Sequence, residues 1–399
     1  MVKYIEQEIF PSNNIIYLYL VYGINILFPI ALLLYLIPIV GENGYGTIIY
    51  YQTLGSIILA ITDFGYELKG IQFIASDKSE ESKKSFISSI IIFKSIIAFL
   101  SLALLTLIDG VSLILIGSSW VFLYSIFIPN WYYIGTSQYL KLFYLTVLSK
   151  IGCLPVIYFL IIDSDDIQFV PLTILVTTAA ASLLSLKKLQ ISNFLYKVNL
   201  KDVVLEFFST PKYSLPSLAM LMLKASPKII LGRFIGYESV TQYDIAEKFM
   251  NILKVPNQLY TKHIIQKVSK KFDFKYVRTK GYMSLLMNTL LIIIFNLLLF
   301  DLIGLLKLNV EDDGVKLIRL LSINVLFVLG TNIITQQIFL PQNRFNDFKN
   351  SNLVGISVFL ILIILFYANN ILSIISIGTI VIISEILVVL SGILILYRQ

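Results

Sequence analysis

The sequence predicts an all-α integral membrane protein with about twelve transmembrane helices. Three observations carry that reading. The 399 residues are 57% hydrophobic and only 14% charged, against about 25% charged in soluble domains. Apolar runs of the roughly 20 residues needed to cross a bilayer recur along the whole chain. The lysines and arginines between those runs alternate in density, which is how orientation is set in polytopic proteins. One polytopic membrane domain therefore accounts for the length better than two or more soluble domains.

The spans fall near residues 15–40, 46–63, 86–108, 111–129, 141–162, 168–186, 213–233, 240–260, 282–306, 315–340, 351–368 and 371–396. The first run is too long for a signal-peptide core of about 7–15 residues, and no small-residue cleavage site follows it. It is expected to stay as a transmembrane helix. Lysine and arginine crowd 64–85, 187–212 and 261–281, and Lys141 and Lys150 are counted with the connection 130–150. On the opposite side stand Arg233, Lys307 and Lys316, beside Asp163, Asp165, Asp166, Glu311, Asp312 and Asp313. Both termini are thus expected in the cytoplasm. The formal charge of +7 reads as topology, not as nucleic-acid binding.

Taken in order, residues 1–14 are short, mixed in charge and suited to the membrane surface. Pro29 and Pro38 bend the first span and free backbone groups that must be satisfied internally. A glycine-rich turn, Gly41 to Thr47, leads into the second span, which closes at Asp63. Residues 1–190 then form an N-terminal six-helix lobe, 191–212 a cytoplasmic linker and 213–399 a C-terminal six-helix lobe. In the linker Leu195, Val198, Val203, Leu205, Phe207 and Phe208 alternate with lysines. That pattern suits a basic helix on anionic headgroups, or a regulatory partner site. Pro216, Pro227, Gly236 and Tyr243 echo the order of the first two spans. Six spans per lobe make such copies parallel, related by a pseudo-two-fold axis along the membrane normal.

The chain is organised around Lys212 to Gln258. Lys224 and Lys228 are four apart and share a helix face. On the next span Asp244, Glu247, Lys248, Asn251, Lys254 and Gln258 form a polar stripe within about 120°. A charge at the bilayer centre costs roughly 2.5–3.5 kcal/mol on insertion scales, so it usually faces a watery interior with a purpose. Lys94, Lys224, Lys228, Lys248, Lys254 and Arg319 are the in-span cations, candidates to line a path for something anionic. The competing reading is internal neutralisation, with Asp244 paired to Lys248 and Glu247 to Lys224 or Lys228. Glu385, Glu247, Asp244 and Asp63 are candidates for ion coupling, since a buried carboxylate can carry a proton. Glu385 serves equally well as a lysine's structural partner. No catalytic constellation, cofactor motif or metal site is expected. Cys153 and His263 are each the only residue of their kind, which leaves no disulfide framework, zinc cluster or histidine-based triad.

Three passages then carry a resemblance. Gly41, Gly44, Gly46 and Thr47 precede a helix that ends in Asp63-Phe64-Gly65. Pro129, Trp131 and Gly135 share one passage, and Tyr243, Ala246 and Lys248 share another. Together they resemble the Wzx-type polysaccharide flippases of the multidrug/oligosaccharidyl-lipid/polysaccharide exporter superfamily. Two features depart from that pattern: the first span carries no lysine or arginine, and no Pro-x-x-Ser follows the eighth.

The resemblance implies two pseudo-symmetric six-helix bundles around a central cavity in a bacterial inner membrane. It also implies transport of an undecaprenyl-pyrophosphate-linked oligosaccharide, of O-antigen or capsule type, from the cytoplasmic to the outer leaflet by alternating access. Membrane lipids, a polysaccharide polymerase and chain-length machinery are the implied partners, and a proton or sodium gradient the implied drive. Tyr17, Tyr22, Tyr51, Tyr124 and Tyr243 would stack on sugars, or else belong to interfacial belts. The rival readings are a membrane polymerase or ligase of the same pathway, and a multidrug exporter of the same superfamily. The first would want a large basic outer loop and the second an acidic cavity.

Overall fold

The computed structural model describes residues 15–63, 70, 73–74, 79–189, 211–270, 272–308, 310–342 and 344–397. The readings made for residues 1–14, for the basic linker and for the His263 side chain lie outside the described residues. Among those residues the chain is helical throughout, without strands. It divides into two compact units, Met1–Leu218 and Ala219–Gln399.

The first unit opens with α1, Ile15–Asp63. At 49 residues it is about 74 Å long, more than twice the roughly 30 Å hydrocarbon core. It breaks at Gly41, where φ is 70° and ψ is 174°, so it holds the two spans expected at 15–40 and 46–63. Only glycine adopts that backbone without strain. Gly41→Val is therefore expected to cost about 1–3 kcal/mol, read as a lower melting temperature of the detergent-solubilised protein with no change in helix content. Helix α2, Glu80–Asp109, starts at Ser79, whose hydroxyl accepts from the Ser82 N–H.

The fourth and fifth spans differ from the continuous rods expected. They run as α3 (Leu113–Gly117), α4 (Trp120–Phe127), α5 (Asn130–Gly135), α6 (Tyr139–Thr146), a π turn at Val147–Ile151 and α7 (Cys153–Leu160). Pro129, which cannot donate, and Ser137, at a φ of 55°, break the run where the sequence is polar and aromatic. Tertiary packing holds the pieces. Tyr124 shares a hydrogen bond with Thr146 at 2.9 Å and Tyr133 one with Ser185 at 2.8 Å. Ile58, Phe86, Ile90, Phe122 and Trp131 fill a second core. A 3₁₀ turn at Ser164–Gln168 then leads into α8, Phe169–Leu189.

The division between units falls within α9, Pro211–Phe234. The second unit continues with α10 (Tyr237–Lys270), α11 (Phe274–Leu305), α12 (Asp312–Asn332), a π turn at Ile333–Phe339, α13 (Phe345–Ala368) and α14 (Ile374–Tyr397). Helices α10, α12 and α14 pack side by side, with α13 against α14. Leu223 and Ile230 of α9 pack on the buried Phe359, Ile380 and Val381.

Among the described residues nine helical stretches are long and apolar enough to cross a membrane. One of them, Ile16–Asp63, holds two spans. Helices α9 and α10, at 24 and 34 residues, are long enough to cross as well and carry the densest in-span charge. The twelve spans read from the sequence are thus all accounted for. Outward faces are apolar, with Leu107, Phe159, Leu297 and Leu305 all highly exposed, as a lipid-facing surface requires.

Candidate functional site

The cationic stretch resolves into two neighbouring environments within the C-terminal unit. In the first, Lys228 of α9 meets Asp244 at 2.7 Å and Glu247 at 2.5 Å. Asp244 also pairs with Lys248 one turn further along α10. Two cations and two carboxylates thus close into a neutral cluster that ties α9 to α10. Neutralisation reaches Glu247 through Lys228, one of the two partners considered. None of these four residues is exposed, and Asp244 is almost wholly buried. Burial of this kind is tolerated because each charge has an opposite neighbour.

The second environment is a cavity of about 380 Å³ walled by α9, α10, α12 with its π turn, α13 and α14. The α10 stripe supplies Glu247, Asn251, Lys254 and Gln258, and Thr261 continues it. Their spacing of four, three, four and three keeps all five on one helix face. Lys224 faces the cavity from α9, and Asn324, Thr331 and Asn332 face it from α12. Glu385 enters from α14, where its carboxylate accepts from the Thr331 hydroxyl at 2.9 Å. Neither Lys224 nor Lys254 forms an ion pair among the described residues. Lys254 is buried and senses the charges of Lys224, Glu247 and Glu385. Glu247 is already held by Lys228. Glu385 therefore stands alone against two lysines.

The rest of the wall is rich in carboxamides. Asn251, Asn257, Gln258, Asn324, Asn332, Gln336 and Asn352 all line the cavity. Each carboxamide offers two donors and one acceptor oxygen, which suits hydroxyl-bearing ligands. The Asn324 side-chain oxygen is buried with no hydrogen-bond partner. Asn257 is fixed from behind by Asn288 at 2.5 Å and by Ser284 at 3.1 Å. Sequence reasoning found Asn251 and Gln258 as members of the α10 stripe and missed the other five, because isolated amides in apolar helices carry no charge signal. The seven-residue spacing of Asn324 and Thr331, two helical turns, was the clue available.

The remaining predicted residues lie elsewhere. Lys94 belongs to the N-terminal unit, buried and paired with Asp63 at 2.6 Å. Arg319 is exposed, with its guanidinium 5.2 Å from the Phe300 ring centre, and is absent from the cavity wall. Five residues separate it from Asn324, which turns it about 140° away from the cavity face. Of the tyrosines, Tyr243 lines the cavity. Tyr124 is buried in the N-terminal unit, Tyr17 packs on Phe143, and Tyr22 is exposed. Tyr51 packs edge-on against Tyr50.

One cation counted with a cytoplasmic loop is relocated. Lys150 sits in the Val147–Ile151 π turn of the N-terminal unit and donates to the Asn25 side-chain oxygen at 2.5 Å. Its position ten residues inside an apolar run was the signal, overridden by assigning 130–150 to a loop.

Comparison with known proteins adds three findings. The family model described as "Polysaccharide biosynthesis protein" matches residues 12–261, more than half of the chain. A protein of Escherichia coli (strain K12) described as "Putative O-antigen transporter" is 24% identical, with 84% of this chain and 85% of that protein covered. Among solved structures, an inward-facing multidrug resistance transporter of the MATE family and MOP superfamily aligns at a TM-score of 0.60 and 10% identity, covering 88% of this chain and 89% of its own. An outward-facing transporter with the same description aligns at 0.58 and 11% identity, covering 96% and 93%. At that identity the likeness shows the fold alone: this chain has the MATE-type transporter fold.

Proposed function

Because the chain belongs to the polysaccharide biosynthesis protein family, we propose that it is a flippase for a lipid-linked oligosaccharide. The cargo is an undecaprenyl-pyrophosphate-linked repeat unit of O-antigen or capsule type. Transfer runs from the cytoplasmic to the outer leaflet of the inner membrane, by alternating exposure of the binding cavity to the two sides. The observation that carries this reading is the pairing of Lys224 and Lys254, free of carboxylate partners among the described residues, with a carboxamide-lined wall. Two cations match the two charges of a pyrophosphate, and amides match sugar hydroxyls. Attraction between such charges strengthens where water is excluded. The E. coli relative, described as a "Putative O-antigen transporter", supports the same cargo class.

The test is the location of the lipid-linked glycan in cells lacking the gene. Glycan trapped in the cytoplasmic leaflet, with export restored by the intact gene, supports translocation. Single repeat units reaching the outer surface without the protein would overturn it, and a polymerase would become the better reading.

We assign coupling to a proton or sodium gradient to Glu385, which shares the cavity wall with both lysines. Glu385→Gln is expected to leave the protein folded and to remove the dependence of export on the ion gradient. Residual export by the variant, measured before and after an ionophore collapses the gradient, should be the same. A variant that still responds to the ionophore as the wild type does would exclude Glu385 from coupling.

A further inference from the structure

The N-terminal unit holds a smaller cavity of about 60 Å³ with its own lining residues. Lys150, Trp120, Gln52 and Tyr45 supply its polar groups, and Phe28, Leu32, Leu36, Ile48 and Ile49 much of its apolar wall. The Lys150 ammonium lies 5.8 Å from the Phe28 ring centre, 5.9 Å from that of Trp120 and 5.4 Å from that of Tyr124. Its only hydrogen bond among the described residues goes to Asn25, and it forms no ion pair there. An ammonium has three N–H donors, so two are left to spend. The Trp120 indole N–H is also buried without a partner. The Tyr124 hydroxyl is engaged by Thr146.

Ring faces lower the cost of removing a cation from water, yet they leave its hydrogen-bonding capacity unmet. A half-buried charge with no opposite charge beside it is costly, and so is a buried indole N–H without an acceptor. One small acceptor carrying a negative charge would satisfy both groups at once. Size narrows the choice: a water needs roughly 10–15 Å³ of such space, so about 60 Å³ admits a monatomic anion together with a few waters. A phosphodiester or a sugar carboxylate brings too many covalently attached atoms to enter.

We propose that Lys150, Asn25 and Trp120 frame a binding site for a chloride-sized inorganic monoanion within the N-terminal unit. The ammonium supplies the charge and two donors, the indole supplies a third, and the carboxamide oxygen of Asn25 keeps the ammonium oriented. The aromatic and aliphatic wall excludes larger anions and the hydration shell of strongly hydrated ones. This site shares no lining residue with the amide-lined cavity and does not rest on the cargo assigned there.

The test uses the full chain, purified and reconstituted in nanodiscs in a gluconate buffer, and titrated with sodium chloride or bromide at constant ionic strength. The wild type should gain thermal stability with a saturating dependence on halide. Lys150→Met, which keeps the stem and removes the charge, should show at least a tenfold weaker dependence or none. A second measurement uses the Trp131→Phe variant, in which Trp120 is the sole tryptophan. Its emission should be quenched saturably by bromide, and addition of Lys150→Met should make the quenching linear. If Lys150→Met fails to fold, saturable quenching of Trp120 emission by bromide still supports the site. Identical halide responses of wild type and Lys150→Met, or linear quenching of Trp120 with Lys150 intact, would overturn it.

Discussion

Replacing Lys224 with alanine is expected to cut glycan export by about ten- to 150-fold while membrane abundance stays at the wild-type level. The magnitude follows from the loss of one charge-assisted hydrogen bond, about 1.5–3 kcal/mol. Abundance should hold because Lys224 is exposed and forms no ion pair among the described residues, so nothing is left stranded when it goes. Lys254→Met should cut export similarly. Lys224→Arg keeps the charge and should recover part of the activity, with the guanidinium fork meeting a phosphate in a different geometry. The readout is surface glycan per copy of protein in the membrane. Wild-type export with Lys224→Ala would remove that residue from the transport path.

The opposite pattern is expected one turn away. Asp244→Ala should lower stability by about 3–5 kcal/mol, the usual loss when one partner of a buried ion pair is removed. Lys248 would lose its contact with the Asp244 carboxylate, and Lys228 would keep its pair with Glu247. The double variant Asp244→Asn with Lys248→Met should recover much of the loss, because Lys228 then retains Glu247 and no cation is left over. Thermal unfolding of the detergent-solubilised protein separates the cases: the single variant melts well below the double variant. Equal melting of the single variant and the wild type would show that the cluster contributes nothing to the fold. Lys224 and Asp244 thus divide the cationic stretch into a part expected to touch cargo and a part that holds two helices together.

Much of the fold was legible because membrane insertion imposes a length and a polarity on every span. The α10 stripe was legible for the same reason, since a charge every three or four residues in an apolar rod has few explanations. The Asp244–Lys248 pair was legible from its spacing, but the partner of Glu247 was not. Lys224 and Lys228 share a face of α9, and their spacing alone does not say which one meets Glu247. The tertiary packing decides it, with Lys228 in the ion cluster and Lys224 on the cavity wall. Arg319 was grouped with the other in-span cations because a charge inside a span usually faces inward, whereas its phase on α12 turns it away from the amide-lined cavity. Lys150 was missed because a polar, aromatic stretch at 130–139 reads as a loop, although α5 is helical there and its Trp131 and Tyr133 are buried.

The π turn at Ile333–Phe339 has a consequence for how this helix can change over generations. A π turn is in effect an α-helix carrying one surplus residue, and each residue corresponds to about 100° of rotation. Asn332 and Gln336 both reach the cavity, while Ile334, Ile338 and Phe339 fill the apolar core behind it. Losing that surplus residue would restore a regular α-helix and leave the downstream segment close to its present orientation, because the bulge absorbs the extra residue locally. Losing a residue from a regular turn of α12 would instead swing everything downstream by about 100° and exchange the cavity and core faces. The helix is held to its length by two faces that must stay in phase, and the π turn is where that length can change by one residue.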